Sequence, residues 1–220
     1  MSSMGGILAV VSHPDDETFG CGGTLALYAG ESRVLCLTCN PRNRKVEIYR
    51  ACKALGLAEP IVLLEDNVRS SKELVKRVAD AIVVEKPRIV VTHLPFDYHA
   101  EHRAAYEIVK EAIEWSAHTT TYKEPHLVER FLLMEINTLI PSPHVLVDIS
   151  ETMKRKRAAV ESYDSQLTKF HWNYYQKFSD KKAELRGTQA NCEFAEAFVE
   201  ESVAKNGPFY ETKTTKNLLR

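Results

Sequence analysis

The chain has 220 residues, of which 44% are hydrophobic and 27% are charged, and its formal net charge is -1. This length and composition predict a globular protein that can bury one sizeable core. A charge so near zero argues against nucleic acid or an anionic membrane as the main partner, because both attract strongly basic surfaces. Small neutral or polar molecules remain as candidate partners.

The cysteines indicate a reducing compartment. There are five, an odd number scattered through apparent strands and helices, which is not the pattern of a disulfide framework. Cys36 and Cys39 have the spacing of a redox or metal pair, but both fall within a predicted strand, so core cysteines are favoured. The N-terminus does not resemble a secretion signal, and no window is apolar enough for a membrane span. We therefore expect a cytoplasmic protein.

Short apolar runs alternate with amphipathic segments along the first half of the chain. The runs predict strands at 7–11, 33–39, 61–64 and 88–92. Helices are expected between and after them: a short one at 24–30, one ended by Gly56, one between Ser70 and Pro87, and one that contains 105–112. This alternation predicts an α/β fold, a Rossmann-like, doubly wound, mostly parallel sheet with helices on both faces.

The second half is less regular. Strands are expected at 131–136 and 145–149, followed by a helix capped by Ser150 whose basic run 154–157 we interpret as a solvated face. The aromatic segment 170–175 belongs to a loop or a further helix, with its rings in the core, at an interface or beside substrate. We expect a single domain over 1–205 and a tail, 206–220, that is frayed or packed on the surface.

A cluster of polar residues follows the first predicted strand. It consists of Ser12, His13, Pro14, Asp15, Asp16 and Glu17. One imidazole and three carboxylates within five residues exceed what a turn or a helix cap requires. Loops at the carboxyl ends of parallel strands are where open α/β sheets bind ligands, so the cluster is a candidate site.

A second polar loop follows the fourth predicted strand and carries Asp97, His99, Glu101 and His102. Two loops that each leave a parallel strand can meet above the sheet, which would bring His99 and His102 toward His13. Imidazole and carboxylate ligands suit zinc, and also Fe²⁺, Mn²⁺ or Co²⁺. The unused carboxylates and histidines are the groups that metal-assisted hydrolysis requires. These residue types alone leave open which of them bind the metal.

The residues of these two loops resemble those of the PIG-L/LmbE-like N-acetylglucosaminyl deacetylases. The His-Pro-Asp-Asp-Glu loop at 13–17 is the hallmark of that family, and 99–102 is similar to its His-x-Asp-His loop. Weaker similarities follow in the family's order, at Arg44-x-x-Glu47, 147–150, 163–166 and 194–198. The likeness spans about residues 6 to 198.

The resemblance implies a role for each matched residue. His13, Asp16 and His102 would bind zinc, Asp15 would be the general base, and His99 the general acid or the oxyanion stabiliser. Arg44 would contact a sugar or a phosphate. The implied reaction is removal of an acetyl group from an N-acetylated amino sugar by water that the metal activates, with acetate and an amino sugar as products.

Other residues of the two loops receive supporting assignments. We assign Asp97 to substrate binding, and Glu17 and Glu101 to the support of the groups around the metal. Glu101 stands where the family has Asp, and Tyr163 stands where it has His, near the predicted rim of the site. The loop 40–43 is short, which predicts a more open pocket or one completed by a second subunit of a homo-oligomer.

Two other classes of protein compete with the enzyme. A doubly wound nucleotide-binding module would use Gly20, Gly22 and Gly23, but Leu25 stands where the Gly-x-Gly-x-x-Gly pattern requires its last glycine. A catalytically silent metal-binding interaction protein would have lost groups needed for the reaction, and here each of them is present. An active amide hydrolase is therefore the favoured interpretation.

Overall fold

The computed structural model describes residues 5–203, which form a seven-stranded sheet flanked by helices. The strands are β1 (Gly5–Val11), β2 (Ser32–Thr38), β3 (Ile61–Glu65), β4 (Pro87–His93), β5 (Arg130–Met134), β6 (Val145–Asp148) and β7 (Ala195–Glu201). The helices are α1 (Asp16–Leu27), α2 (Arg44–Leu55), α3 (Lys72–Glu85), α4 (Ala100–Ser116), α5 (Met153–Val160), α6 (Asp164–Leu167) and α7 (Tyr174–Ala190).

The strand order places a crevice beside β1. Across the sheet the order is β3-β2-β1-β4-β5-β7-β6, and the first five strands are parallel. The chain runs outward from β1 to β3 and then returns to the other side of β1 for β4. Loops that leave the carboxyl ends of β1 and β4 therefore diverge at this reversal, which is where doubly wound sheets bind ligands. The predicted fold class is confirmed.

Both faces of the sheet are covered by apolar residues. Leu8 and Val10 of β1 pack on one face with residues of α3 and α4. Ile7, Ala9 and Val11 pack on the other face with residues of α1, α2 and α5. Since successive side chains of a strand point to opposite faces, a strand covered on both sides is apolar throughout, as the first run of the sequence is.

Helix α1 begins earlier than the sequence predicted. The expected helix at 24–30 is the end of a longer helix that starts at Asp16 and is kinked at Cys21, whose φ is -146°. The glycines at 20, 22 and 23 therefore lie inside a buried helix and form no phosphate-binding turn. A Cβ on Gly23 would lie 2.6 Å from Cδ1 of Ile149, so this glycine permits close packing against the segment after β6.

Near the kink in α1, backbone amides donate hydrogen bonds to a buried carboxylate. The amides of Gly23 and Thr24 donate to the carboxylate of Glu196, at 2.9 and 2.8 Å. Glu196 in turn pairs with Lys156 at 2.6 Å, and both side chains are almost fully buried. The prediction that the run 154–157 is a solvated face is thus wrong for Lys156, because its charge compensates a buried carboxylate.

The second half of the chain differs from prediction in other details. Strand β7 was not predicted and runs antiparallel between β5 and β6. Ser150 does not cap α5, since its hydroxyl donates to Asp148 and the helix begins only at Met153. In the segment 170–175, α7 begins at Tyr174. The boundary predicted at 205 and the tail 206–220 lie outside the described residues.

The described residues can be compared with the predictions for the cysteines and for membrane spans. Cys36 and Cys39 are buried and unpaired, as predicted for core cysteines. Within residues 5–203, no helix combines the length and the apolar character that crossing a bilayer requires.

Candidate active site

The two polar loops meet at the reversal of strand order. His13 follows β1, and His99 and His102 flank the start of α4 just beyond β4. The ring centroid of His13 lies 4.9 Å from that of His99 and 5.4 Å from that of His102. Because α4 begins at Ala100, His102 lies in its first turn and not in the predicted loop. The predicted convergence of the two loops is present.

Asp16 connects the two loops. Its Oδ2 lies 3.2 Å from Nδ1 of His13, and its Oδ1 lies 3.3 Å from Nε2 of His102. Oδ2 also accepts a hydrogen bond from the backbone amide of His13 at 2.8 Å. Burial raises the pKa of Asp16, but the opposing charge and hydrogen bond of His102 and the contacts with His13 outweigh it. The net pKa lies well below the usual value, so the group is a carboxylate.

His102 is held between two carboxylates. Asp97 Oδ1 lies 3.2 Å from Nδ1 of His102, on the other side of the ring from Asp16. Burial lowers the pKa of His102, but the two acidic groups together raise it to about 10. Asp97 is 2% exposed and also accepts the backbone amide of His99 at 2.9 Å. The sequence assigned Asp97 to substrate, whereas the structure turns it toward the two histidines.

His93 was not singled out from the sequence. It is the last residue of β4, it is buried, and its ring stacks on that of His102 with centroids 4.1 Å apart. Its Nε2 accepts a hydrogen bond from the backbone amide of Ser12 at 2.9 Å. This bond fixes the loop after β1 against β4 and occupies the lone pair with which Nε2 could bind a metal. Its position at the end of a strand was the signal available in the sequence.

Asp15 stands at a strained position beside a buried arginine. Its φ is 116°, a conformation that L-residues rarely adopt. Arg44 reaches Oδ2 of Asp15 at 3.0 Å and donates to the carbonyl of Pro14 as well. Burial and the charge of Asp16 raise the pKa of Asp15 to about 8, against the lowering effect of Arg44. Arg44 was predicted to contact substrate; its guanidinium is directed at Asp15.

The buried side chain of Glu17 contacts the backbone of the turn that carries Asp15. Its Oε2 accepts the backbone amide of Asp15 at 3.1 Å, and its Oε1 accepts the hydroxyls of Thr18 and Tyr163. Both Glu17 and Tyr163 are fully buried. Tyr163 was expected near the rim of the site, but it lies in the core because its ring packs among apolar side chains while its hydroxyl satisfies a buried carboxylate.

His99 lines the cavity, and its Nδ1 accepts a hydrogen bond from the backbone at the start of α4. As the residue that caps α4, it accepts the backbone amide of Glu101 at Nδ1, at 3.3 Å. Burial, with His102 and His13 nearby, lowers the pKa of His99, so the ring is neutral at pH 7. A neutral ring that accepts at Nδ1 carries its proton on Nε2, which makes it a hydrogen-bond donor.

Glu101 bridges three segments. Its Oε2 lies 2.5 Å from Nε2 of His13, and its Oε1 accepts the backbone amide of Val68 at 2.9 Å. The backbone carbonyl of Glu101 accepts the hydroxyl of Ser12 at 3.0 Å. The loop after β3 is thereby connected to the loops after β1 and β4; that Glu101 supports the groups around a metal stays a prediction.

The donor set fits a divalent metal ion. One nitrogen from each of His13, His99 and His102 lies within 4.8 Å of the others, and the set Asp16, His93 and His102 satisfies the same limit. His13 and His102 both contact Asp16, which combines two imidazoles with a carboxylate, a set that zinc accepts. Asp97 behind His102 supplies the carboxylate support that metal-binding histidines commonly have.

Asp15, Asp16, His13, His99 and His102 line one cavity of about 480 Å³. Arg44 lines it as well, together with several aromatic side chains. A volume of this size lies in the range of sites for small molecules. The arrangement brings a candidate metal site, a carboxylate and a neutral histidine donor to one surface that a small substrate can reach.

Comparison with known proteins identifies relatives of this chain. Residues 8–113 match the family model described as GlcNAc-PI de-N-acetylase (PIG-L), a segment that contains both polar loops. The chain is 25% identical over 202 residues to the probable N-acetyl-alpha-D-glucosaminyl L-malate deacetylase 2 of Bacillus cereus, covering 80% of this chain and 90% of the relative. It is 23% identical over 219 residues to the diacetylchitobiose deacetylase of Thermococcus kodakarensis, covering 86% and 80%.

Solved structures share the fold. A conserved protein from Thermus thermophilus superposes with a TM-score of 0.83 at 28% identity, covering 95% of this chain and all of that one. The 4-carboxy-2-hydroxymuconate hydratase GalB of Pseudomonas putida superposes with a TM-score of 0.77 at 22% identity, covering 92% and 99%. The second likeness concerns the fold alone, because the name of that protein describes a different reaction.

The sequence relatives named above are deacetylases by name, and deacetylases of N-acetyl groups are amide hydrolases. Residues 8–113 are thus similar to the PIG-L family, as the motifs of the sequence suggested, and the relatives named above are 23–25% identical to this chain.

Proposed function

We propose that the protein is a zinc-dependent deacetylase that removes the acetyl group from an N-acetylated sugar conjugate of the N-acetylglucosamine type. The observation that carries this proposal is the contact of Asp16 with His13 and with His102, beside Asp15, in one cavity. Both relatives named above are deacetylases of N-acetylated sugars by their names. A small-molecule conjugate also agrees with the near-neutral charge of the chain.

His13, Asp16 and His102 are the residues that would hold the metal, and Zn²⁺ is the ion we propose. When bound, a zinc ion supplies a Lewis acid that polarises a carbonyl and acidifies water. In the metal-free protein, protonated His102 balances the charge of Asp16, and the ion would replace that proton. His93 also lies close to Asp16 and His102, but the amide of Ser12 occupies its Nε2, so only its Nδ1 would be left to bind a metal.

Asp15 is the proposed general base. Attack of water on the acetamido carbonyl carbon releases a proton, and Asp15 accepts it. Burial raises the pKa of Asp15 and so makes its carboxylate a stronger base, while Arg44 and a cation bound beside it would favour the ionised form that accepts the proton. Arg44 and the amide contact with Glu17 hold this side chain and its strained backbone in place, so its orientation is set before substrate arrives.

His99 is the proposed donor to the developing oxyanion. Its neutral ring carries the proton on Nε2, and donors fixed in advance stabilise charge that forms during the reaction. The carbon–nitrogen bond then breaks, the nitrogen takes up the proton that Asp15 received, and acetate leaves with its oxygen from water. The lowered pKa of His99 favours this role over that of a cationic acid.

The experiment is acetate release from a panel of N-acetylated sugars, with metal content measured on the same preparation. We expect release from at least one glucosamine derivative, loss of activity after dialysis against a chelator, and recovery on addition of Zn²⁺. Activity that persists after the metal is removed would refute the metal dependence. Because GalB shares the fold, hydration of 4-carboxy-2-hydroxymuconate is a necessary control, and turnover of that compound without acetate release would refute the deacetylase.

A further inference from the structure

The loop between β4 and α4, residues 94–99, carries Asp97 and His99. The side chains on either side of Asp97 do little to anchor it, since Phe96 is 52% exposed and Tyr98 is 71% exposed. Apolar burial is the main force that fixes a segment to its surroundings, so this part of the loop depends on polar contacts instead. The proposed site needs Asp97 and His99 in fixed orientations, and the contacts that hold the loop therefore matter to the site.

Arg103 reaches back from α4 to this loop. Its Nη1 donates to the backbone carbonyls of Asp97 and of Tyr98, each at 2.7 Å. Both carbonyls precede the helix, in which the amide of Arg103 itself donates to the carbonyl of His99 at 3.3 Å. No helical amide is placed to satisfy the two earlier carbonyls. One end of the guanidinium thus holds two consecutive peptide groups of the loop.

The place of Arg103 in the helix is unfavourable for a cation. It lies in the first turn of α4, which begins at Ala100. The amino end of a helix carries a partial positive charge and repels a positively charged side chain. Helix electrostatics therefore do not explain why the guanidinium lies there. Hydrogen bonds from a charged donor are stronger than those between neutral groups, and the two bonds to the loop offset the repulsion.

The contact of Arg103 with Tyr98 continues through the peptide group to Asp97 and His102. The carbonyl of Tyr98 and the amide of His99 belong to the same peptide plane. Arg103 binds the carbonyl side of this plane, and the amide side donates to Oδ1 of Asp97 at 2.9 Å. The same Oδ1 lies 3.2 Å from Nδ1 of His102. Rotation of this one plane would withdraw the donor that orients Asp97 behind His102.

We propose that Arg103 is a positioning residue for the candidate metal site, acting through the peptide group between Tyr98 and His99 and then through Asp97 on His102. Arg103 does not line the cavity, so it touches neither substrate nor reacting atoms. A carboxylate fixed behind a metal-binding histidine orients the ring and strengthens its bond to the metal. The inference rests on the proposed function for the metal that His102 binds.

The test measures metal binding without turnover. Zn²⁺ is titrated into the metal-free native protein, Arg103→Met and Arg103→Lys in competition with a chromophoric chelator. We expect Arg103→Met to raise the Kd for Zn²⁺ about tenfold, because Asp97 loses its fixed orientation. Arg103→Lys should raise it less, since an ammonium group can still donate to the two carbonyls.

A role through charge alone makes the opposite prediction. Removing a positive charge near a cation site would tighten Zn²⁺ binding in Arg103→Met, and Arg103→Lys would then match the native protein. Unchanged or tighter binding of Zn²⁺ by Arg103→Met would therefore overturn the proposal.

The control is Arg88→Met. Arg88 is an exposed arginine near the other end of β4, where it pairs with Glu129 at 2.9 Å. We expect native affinity for Zn²⁺ in this variant, so a general effect of losing an arginine would be recognised by equal changes in both. Amide hydrogen exchange on the metal-free proteins, followed by NMR, gives a second measurement. The amide of His99 should exchange faster in Arg103→Met than in Arg88→Met, and equal rates would contradict the positioning role.

Failure of this inference can be distinguished from failure of the proposed function. If Arg103→Met weakens Zn²⁺ binding as expected but the zinc-loaded native protein releases no acetate from any sugar, the deacetylase is refuted and the positioning role stands. If the native protein releases acetate and Arg103→Met binds Zn²⁺ as tightly as it does, the deacetylase stands and the positioning role is refuted. A native protein that binds no divalent ion would refute both.

Discussion

The hydroxyl of Tyr163 donates to the carboxylate of Glu17, and that carboxylate also accepts the backbone amide of Asp15. Tyr163 follows α5 and is 146 residues from Glu17 in the sequence. A residue remote in sequence therefore holds the turn that carries the proposed base. Glu17 and Tyr163 are both fully buried, and neither lines the cavity.

Tyr163→Phe tests this support. The substitution keeps the ring and removes one of the donors to Glu17, which leaves a buried carboxylate less well satisfied. We expect a loss of about 1–3 kcal/mol in the free energy of unfolding, measured in urea. We also expect a lower kcat with unchanged metal content, because Asp15 loses its fixed position. Tyr28→Phe, at an exposed tyrosine, is the control; an equal response of both variants would show that the contact with Glu17 is unimportant.

Asp15→Asn and His13→Ala separate the base from the metal site. Asn cannot accept the proton, so we expect kcat to fall by about 100-fold or more while metal content is retained. His13→Ala removes a proposed ligand, so metal content should fall together with activity. Both variants are assayed for acetate release and for metal per chain. Full activity of Asp15→Asn would show that another group is the base.

Gly23→Ala tests the packing of α1 against the segment after β6. The added carbon would lie 2.6 Å from Cδ1 and 2.8 Å from Cβ of Ile149, so one of the two segments must move. We expect a loss of about 1–3 kcal/mol in unfolding free energy. The matched control is Gly30→Ala, where nothing lies within 4 Å of the added carbon. If Gly23→Ala were as stable as the control, the glycines of α1 would need an explanation other than packing.

Lys182 makes stability depend on pH. Its Nζ donates to the carbonyls of Phe19, Glu135 and Ile136, which holds α7 against α1 and the end of β5. Burial, followed by the charge of Lys156, lowers the pKa of Lys182 to about 7. Between pH 7 and the value near 10.4 of an unfolded chain, the unfolded state binds more protons. Stability from this group therefore rises with pH across that window.

Comparison with Lys182→Met isolates the effect, because methionine does not titrate and other groups cancel in the difference. We expect the stability of the native protein relative to the variant to increase between pH 7 and pH 10 in urea unfolding. A difference that stays constant over this range would mean that Lys182 remains charged in the folded protein, held by its three carbonyl acceptors.

The sequence was sufficient wherever the signal was local or periodic. The apolar runs specified the parallel strands, because a strand covered on both faces must be apolar throughout. Asp16 lies three residues from His13, so their contact follows from a single turn. Even the approach of His102 could be inferred, since the loops after β1 and β4 leave the same edge of a parallel sheet.

Tertiary structure decided the matters that depend on partners distant in the chain. The glycines of α1 fell outside the helix predicted at 24–30 because nothing local shows Ile149 packed against Gly23. Lys156 looked solvated because its run is basic, and only the fold brings Glu196 to it. Whether a polar side chain faces water, a metal site or a buried counter-charge depends on which strands and helices surround it. The periodicity of apolar residues indicates which positions of a helix or strand are buried, but not which residues of other elements pack against them. For that reason the contacts of His93, Asp97 and Tyr163 required the three-dimensional structure.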